Sequence, residues 1–287
     1  MSITDPNHLI NKPMAVIGAG TLGRRIALML ATRGGEVRLY DPNETVLSEG
    51  VSFVEENIQS QVQKTNDGRV GKAVITSSMT EAVAGAWLII EAVPESIELK
   101  RKVLHELDEI SDSEAIIASN SSSFPSSQLI DKVSRPERVL SAHFYMPPRV
   151  TAVELMSCGK TSPNLIQKLI EVFPMFGLQP FHVREDSVGL IFNRVWAAIK
   201  RESLYVVAQG VSTPSEVDDI FKLVIGATQG PFRNMDEVGL DVVLAIEEHY
   251  AELRPGLPEE VRTLLKEYIS KGWLGVKTGR GFYNDYQ

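Results

Sequence analysis

The chain has a single cysteine, Cys158, among 287 residues. That excludes an internal disulfide framework and a cysteine-based metal cluster, no other metal site is evident, and a reducing compartment is expected. Long hydrophobic runs are also missing: nothing approaches the ~18 consecutive apolar residues of a membrane-spanning helix. Positive charge is in short supply, with 29 Lys and Arg against 37 Asp and Glu and a formal net charge of -8. Without a basic patch to offset it, that balance repels phosphate backbones and excludes nucleic acid as a partner. Met1 to Pro13 carries Asp5 and no apolar core of signal-peptide length, and Asn284 to Gln287 shows no lipidation or peroxisomal signal. The expected setting is the cytoplasm, away from any membrane. Repeats and low-complexity segments are absent too.

What is present is enough apolar sequence, 43% of the chain, to bury a sizeable core, at a length that suggests two domains. From Met14 to about Val183, short apolar runs alternate with helix-length amphipathic ones. This rhythm predicts an α/β domain with a mostly parallel, Rossmann-type sheet. The strand candidates are Met14–Ile17, Val37–Tyr40, Val74–Thr76, Trp87–Ala92, Ala115–Ser119, Val139–His143, Val153–Met156 and Pro180–Val183. Leu22–Arg33, Ile97–Ile110 and a run opening at Ser162-Pro163 read as helices between them. After Val183 the period becomes helical throughout, over Val188–Gln209, Glu216–Ile225, Val238–Ala251 and Pro258–Lys271. The expected division is a dinucleotide-binding domain over 1–184 and a smaller all-α domain over 185–287.

Gly18-Ala19-Gly20-Thr21-Leu22-Gly23 follows the first strand and opens the first helix. In that context the glycines permit a tight turn, close approach of a pyrophosphate to backbone N–H groups, and close helix-on-strand packing. Asp41 ends the second strand, where a carboxylate accepts hydrogen bonds from ribose hydroxyls and repels a 2′-phosphate. NAD is therefore expected over NADP, with Arg38 nearby as the one feature pulling the other way.

A nicotinamide dehydrogenase needs a group to take the hydroxyl proton, and histidine has the best-suited ordinary pKa. Of five histidines, His8, His105, His182 and His249 sit in a tail, on charged helices or in a late strand. His143 ends a strand of the nucleotide domain, and Glu154 follows on the next strand past Met146-Pro147-Pro148-Arg149, so the two face each other across a hairpin-like connection. A core histidine satisfied by its neighbours is the alternative reading of His143.

These segments together resemble the L-3-hydroxyacyl-CoA dehydrogenases over nearly the whole chain. Val16 to Gly23 is similar to that family's opening, Ile90-Glu91-Ala92-Val93-Pro94-Glu95 to its mid-domain segment, and Ser119-Asn120-Ser121-Ser122-Ser123 to its serine motif. His143-Phe144-Tyr145-Met146-Pro147 and Val153-Glu154-Leu155 resemble the stretches carrying the catalytic histidine and its partner glutamate. Gly189 to Arg194, Gly230-Pro231-Phe232, Val238 to Asp241 and Lys277 to Tyr283 resemble the helical domain. The resemblance implies His143 as the acid-base group, Glu154 as its partner, and Ser122 and Asn193 as hydrogen-bond partners of the substrate oxygen. It also implies Glu95, Lys100, Ser122 and Lys277 as further NAD contacts, a homodimer formed by the helical domain, and a place in fatty acid metabolism. Each residue has a plainer alternative: Ser122 capping a helix near Pro125, Asn193 a surface amide, Lys100 and Lys277 solvated charges.

The chain departs from the family pattern where Met146 replaces the usual asparagine, which makes that wall apolar. The arm between Glu44 and Thr76 is short, with Lys64, Arg69 and Lys72 as its only cations and Glu44, Glu49, Glu55 and Glu56 at its start. An acyl-CoA thioester is the leading substrate, a free hydroxy acid such as a sugar-acid or carnitine-like compound the second, and a non-catalytic NAD-binding protein the third. Trp196, Ile199, Leu204, Tyr205 and Val206 mark a helix face for a second subunit or for internal packing.

Overall fold

The computed structural model describes Leu9 and residues 12–286; His8 and most of the segment before Pro13 lie outside the described residues. The chain divides into two units, one ending at Ile191 and one beginning at Phe192.

The first unit is built on one eight-stranded sheet of β1 (Met14–Ile17), β2 (Glu36–Tyr40), β3 (Lys72–Ile75), β4 (Leu88–Glu91), β5 (Ile116–Ser119), β6 (Val139–Phe144), β7 (Ala152–Ser157) and β8 (Gln179–Val183). Its order is β3-β2-β1-β4-β5-β6-β7-β8, parallel except between β6 and β7. The chain crosses from β3 back to β4 beside β1, and that reversal opens a crevice at the carboxyl ends of β1 and β4. Apolar runs form the central strands because both faces are covered. Met14 and Val16 pack into one core and Ala15 and Ile17 into the other; Ile116 and Ala118 likewise oppose Ile117.

The helices of this unit are α1 (Thr21–Leu30), α2 (Glu44–Val62), α3 (Met79–Val83), α4 (Ile97–Ile110) and α5 (Pro163–Val172). Asn43 caps α2 by accepting from the N–H groups of Thr45 and Val46. After α2 the chain turns through 63–71 directly into β3, so the arm is one helix. Ser78 caps the short α3, which the spacing of apolar residues does not announce. Residues 185–191 stay with this unit although the sequence suggests a boundary near Arg184. Leu190 packs with Met156 and Val183, and the Ile191 N–H donates to Glu154 Oε1 at 2.9 Å.

The second unit contains α6 (Phe192–Ala208), α7 (Pro214–Ile225), α8 (Pro231–Val238), α9 (Leu240–Leu253) and α10 (Glu259–Ser270), with no strand named among its described residues. The helix predicted from Val188 starts at Phe192 because Gly189 and Leu190 adopt φ of 78° and 50°. The helix predicted over Val238–Ala251 is α9, which starts two residues later because Gly239 at φ 101° separates it from α8, a helix the sequence reading did not include. Two buried carboxylates close the fold. Asp218 accepts from the N–H groups of Phe232 and Arg233 and from the Tyr283 hydroxyl; Asp236 accepts from the N–H groups of Phe282 and Tyr283 and from the Tyr286 hydroxyl. Of the apolar α6 face read from the sequence, Leu204 is wholly buried in this unit's own core. The densest group of exposed apolar residues lies instead on α7, at Ile220, Leu223, Val224 and Ile225, with Phe192 and Val195 exposed on α6.

Candidate active site

The glycine loop separates two demands on the same three residues. Gly18 leaves β1 at φ 103°, and a Cβ there would lie 2.5 Å from the Ala92 carbonyl oxygen at the end of β4. At Gly23 a Cβ would come within 1.8 Å of the Gly18 carbonyl oxygen, so α1 sits against this loop only because that side chain is missing. Gly20 is unlike both: nothing lies within 4 Å of a Cβ placed there. The open side adjoins the first turn of α1, which includes Thr21 and Leu22 and has no side-chain cap on its N–H groups. That combination suits a pyrophosphate.

Asp41, just past β2, is tied to this loop. Its Oδ2 accepts from the Ala19 N–H at 2.9 Å and its Oδ1 from the Asn43 N–H at 2.9 Å. Each carboxylate oxygen keeps a second lone pair for a ribose hydroxyl. Arg38 does not compete for a phosphate there: its guanidinium donates to Glu36 Oε1 and to the carbonyls of Glu81 and Ala84. An open pyrophosphate side, a half-buried carboxylate and an occupied arginine fit NAD.

At the other end of the crevice, antiparallel β6 and β7 place His143 opposite Glu154. His143 Nδ1 lies 3.2 Å from Glu154 Oε2, and both side chains are buried. Facing a carboxylate, Nδ1 is the donor, which leaves the Nε2 lone pair across the ring to act on a ligand. The Tyr145 hydroxyl donates to the same Oε2 at 2.7 Å, and its ring meets the imidazole edge-on at 4.6 Å. Burial, and then the hydrogen bond and charge of Glu154, raise the Tyr145 pKa, so the phenol stays a donor.

The serine motif follows β5 and is held from beneath by buried charge. Glu91, fully buried at the end of β4, accepts from Lys100 Nζ at 2.9 Å, from the Ser119 hydroxyl at 2.6 Å and from the Val93 N–H at 2.9 Å. Lys100 is 1% exposed and reaches Glu95 at 3.3 Å as well, so it is no solvated charge. Glu95 Oε1 in turn accepts from the Ser121 hydroxyl and from the N–H groups of Ser122 and Ser123. Burial works to raise the Glu95 pKa, but the charge of Lys100 and these hydrogen bonds outweigh it and hold the pKa low. The short turn at Ser126–Gln128 has no side-chain cap, so Ser122 does not serve it. Its hydroxyl has no partner among the described residues, while its backbone is fixed.

Asn193, the second residue of α6, is half-buried, and Lys277 lies exposed in the turn Val276–Thr278 with Nζ 2.5 Å from Asp241 Oδ1. Both belong to the second unit. Sequence reasoning passed over three residues of the first. Glu91 carries the serine loop, Tyr145 shares the carboxylate of Glu154, and the Asn120 side-chain oxygen accepts from the Phe144 N–H at 2.9 Å. A signal existed for Glu91 alone, as a charge ending a wholly apolar strand, where burial demands a partner.

Residues 13–187 match the 3-hydroxyacyl-CoA dehydrogenase NAD binding domain, and residues 189–285 match the 3-hydroxyacyl-CoA dehydrogenase C-terminal domain. A probable 3-hydroxybutyryl-CoA dehydrogenase of Bacillus subtilis (strain 168) is 32% identical over 285 residues, covering 96% of this chain and 98% of the relative. A 5-formyl-3-hydroxy-2-methylpyridine 4-carboxylate 5-dehydrogenase of Mesorhizobium japonicum is 30% identical over 277 residues, covering 94% of this chain and 89% of the relative. Among solved structures, an (S)-3-hydroxybutyryl-CoA dehydrogenase from Ralstonia eutropha superposes with a TM-score of 0.83 at 29% identity, covering 96% of this chain and 99% of that one.

Proposed function

The chain belongs to the 3-hydroxyacyl-CoA dehydrogenase family, and from that premise we propose that it interconverts a 3-hydroxyacyl thioester of coenzyme A and its 3-oxo form, with His143 moving the proton. It is an NAD-dependent dehydrogenase acting on a CH–OH group. The observation that carries the residue assignment is the 3.2 Å approach of His143 Nδ1 to a buried carboxylate that also receives Tyr145 and the Ile191 N–H.

Bound NAD supplies the hydride acceptor for the alcohol carbon. In that direction His143 Nε2 takes the hydroxyl proton, and the imidazolium that forms is stabilised by Glu154, which Tyr145 and the Ile191 N–H help to hold in place. Ser122 donates to the substrate oxygen, and Glu95 fixes the turn from which it does so. Gly18 to Gly23 and Asp41 hold the dinucleotide, and Lys100 neutralises the two glutamates beneath the site. In the reverse direction protonated His143 returns the proton as the carbonyl is reduced.

A second reading keeps this chemistry on a free hydroxy acid. The single-helix arm with its acidic start favours it, as does the relative whose name specifies a pyridine carboxylate. We also propose a homodimer through the second unit, because Ile220, Leu223, Val224 and Ile225 together expose an apolar helix face. Following NADH absorbance with acetoacetyl-CoA and with acetoacetate tests the substrate. Turnover of the thioester alone supports the first reading, turnover of the free acid alone the second, and turnover of neither overturns both.

A further inference from the structure

Arg24 and Arg25, adjacent on α1, are the first unit's uncompensated cations closest in sequence to the glycine loop. Neither forms an ion pair among the described residues, and α1 has no acidic residue in its first turn. Both guanidiniums approach the ring of Phe53 on α2, with Cζ at 5.1 Å and 5.3 Å from its centroid. The Nε atoms of both are buried without a hydrogen-bond partner. Arg25 donates one further hydrogen bond, to the Pro147 carbonyl at 3.3 Å, in the connection that leaves β6 just after His143.

Two like charges drawn to one aromatic ring repel each other, and a buried donor without an acceptor is costly. Nearby acids do not relieve the repulsion: Glu44, Glu49, Glu55 and Glu56 are exposed on α2, and none is within ion-pair distance of either arginine. Three other arginines of this unit are engaged by protein partners, although the Nε atoms of Arg33 and Arg138 are likewise buried without one. Arg138 goes to Asp108, Arg38 to Glu36 and Arg33 to the carbonyls of Asn66 and Asp67. Arg24 and Arg25 keep unfilled donor capacity over the Phe53 ring, with planar forks shaped for an oxyanion, and Arg25 also reaches the catalytic connection.

We propose that Arg24 and Arg25, backed by Phe53, form a subsite for an oxyanion of the substrate, a phosphate or a carboxylate. The reach of Arg25 to Pro147 ties the subsite to the connection that follows His143, whereas the cofactor's ribose carboxylate, Asp41, is bonded to Ala19 in the glycine turn. The subsite supplies the positive charge that α2 lacks. The proposal rests on the dehydrogenase reading only in naming the bound anion as substrate.

The test is calorimetric titration of the NAD-loaded full-length protein with coenzyme A and with acetoacetate, comparing wild type with Arg24→Met/Arg25→Met and with Arg25→Lys. Methionine keeps an apolar stem against Phe53, and an unchanged melting temperature confirms that the fold survives. At least one anion is expected to bind wild type and to lose about tenfold in affinity in the double methionine variant, with partial recovery in Arg25→Lys, while NADH affinity is unchanged. Loss for coenzyme A alone assigns the subsite to a thioester's phosphates, and loss for acetoacetate alone to a free acid's carboxylate. If neither anion binds wild type, if binding is unaffected by the substitutions, or if only NADH affinity falls, the proposal is overturned. Binding that follows the arginines without NADH turnover of either compound would break the dehydrogenase reading and leave the subsite standing.

Discussion

In the sheet unit, the buried carboxylates Glu91 and Glu154 end on side chains that carry charge or protons, Lys100 and His143. In the helical unit, Asp218 and Asp236 end on backbone N–H groups and tyrosine hydroxyls, and what they secure is the close of the chain against α7 and α8. All four are buried carboxylates, so burial alone says nothing about chemistry. The partners do: a carboxylate that meets an ionisable side chain beside a crevice tunes that group, and one that meets amides holds the fold.

The strongest way to sharpen that comparison is His143→Ala. It is expected to lower the rate of NADH turnover by roughly 10²–10⁴-fold, the usual weight of a general acid-base group, with NADH affinity and melting temperature unchanged. Loss of stability in place of rate would make His143 a core residue and collapse the contrast. Next come the carboxylates themselves. Glu91→Gln leaves the buried Lys100 short of its closest charge partner and is expected to cost about 3 kcal/mol and also to lower kcat through the serine loop. Asp218→Ala is expected to cost about 3 kcal/mol by stranding the Phe232 and Arg233 N–H groups and the Tyr283 hydroxyl, with little effect on kcat in protein that remains folded. Denaturant melts paired with steady-state rates separate the two; equal effects on kcat would erase the distinction.

Acidification pulls the units in opposite directions. Glu95 has a lowered folded pKa, so its stabilising effect is full above about pH 4.5, the ordinary carboxylate value, and is lost as the pH falls from there through the folded value. Asp236 has its folded pKa raised, chiefly by burial against the opposing pull of its hydrogen bonds, so below that raised value the folded state binds the proton more readily and gains stability as the pH falls towards 3.8. Stability between pH 6 and pH 3, compared with Glu95→Gln and Asp236→Asn, checks both signs. Glu95→Gln is expected to flatten the acid loss and Asp236→Asn to steepen it. The smallest effect on the fold is expected from Leu223→Lys, whose side chain is 85% exposed. Stability should move by no more than about 0.5 kcal/mol, while light scattering should report a shift from dimer to monomer. A wild-type monomer would refute the dimer.

Much of the sheet unit was legible in the sequence because strands buried on both faces read as unbroken apolar runs, and all eight strand candidates overlap strands of the sheet. The His143–Glu154 approach was legible because two strands joined by Met146-Pro147-Pro148-Arg149 leave few registers. The role of Tyr145 was not, since a tyrosine beside a histidine looks the same whether solvated or engaged, and for Glu91 the apolar strand signals that a partner is needed without naming Lys100 or Ser119. In the helical unit, α8 was missed because two turns bounded by Gly230 and Gly239 are too short to show a helical period. Leu204 looked available to a partner because helical spacing marks an apolar face without saying which neighbour covers it.

The unequal crowding around the glycines of the nucleotide loop has a further consequence for how tolerance to mutation is divided. At positions 18 and 23 any side chain collides with backbone, so a library selected only for folded protein would already be emptied there. Position 20 has free space around it, so the same library would keep small residues at that column and lose them only once selection required the dinucleotide. One hexapeptide thus contains its own control, in which two columns report the architecture and a third reports the ligand.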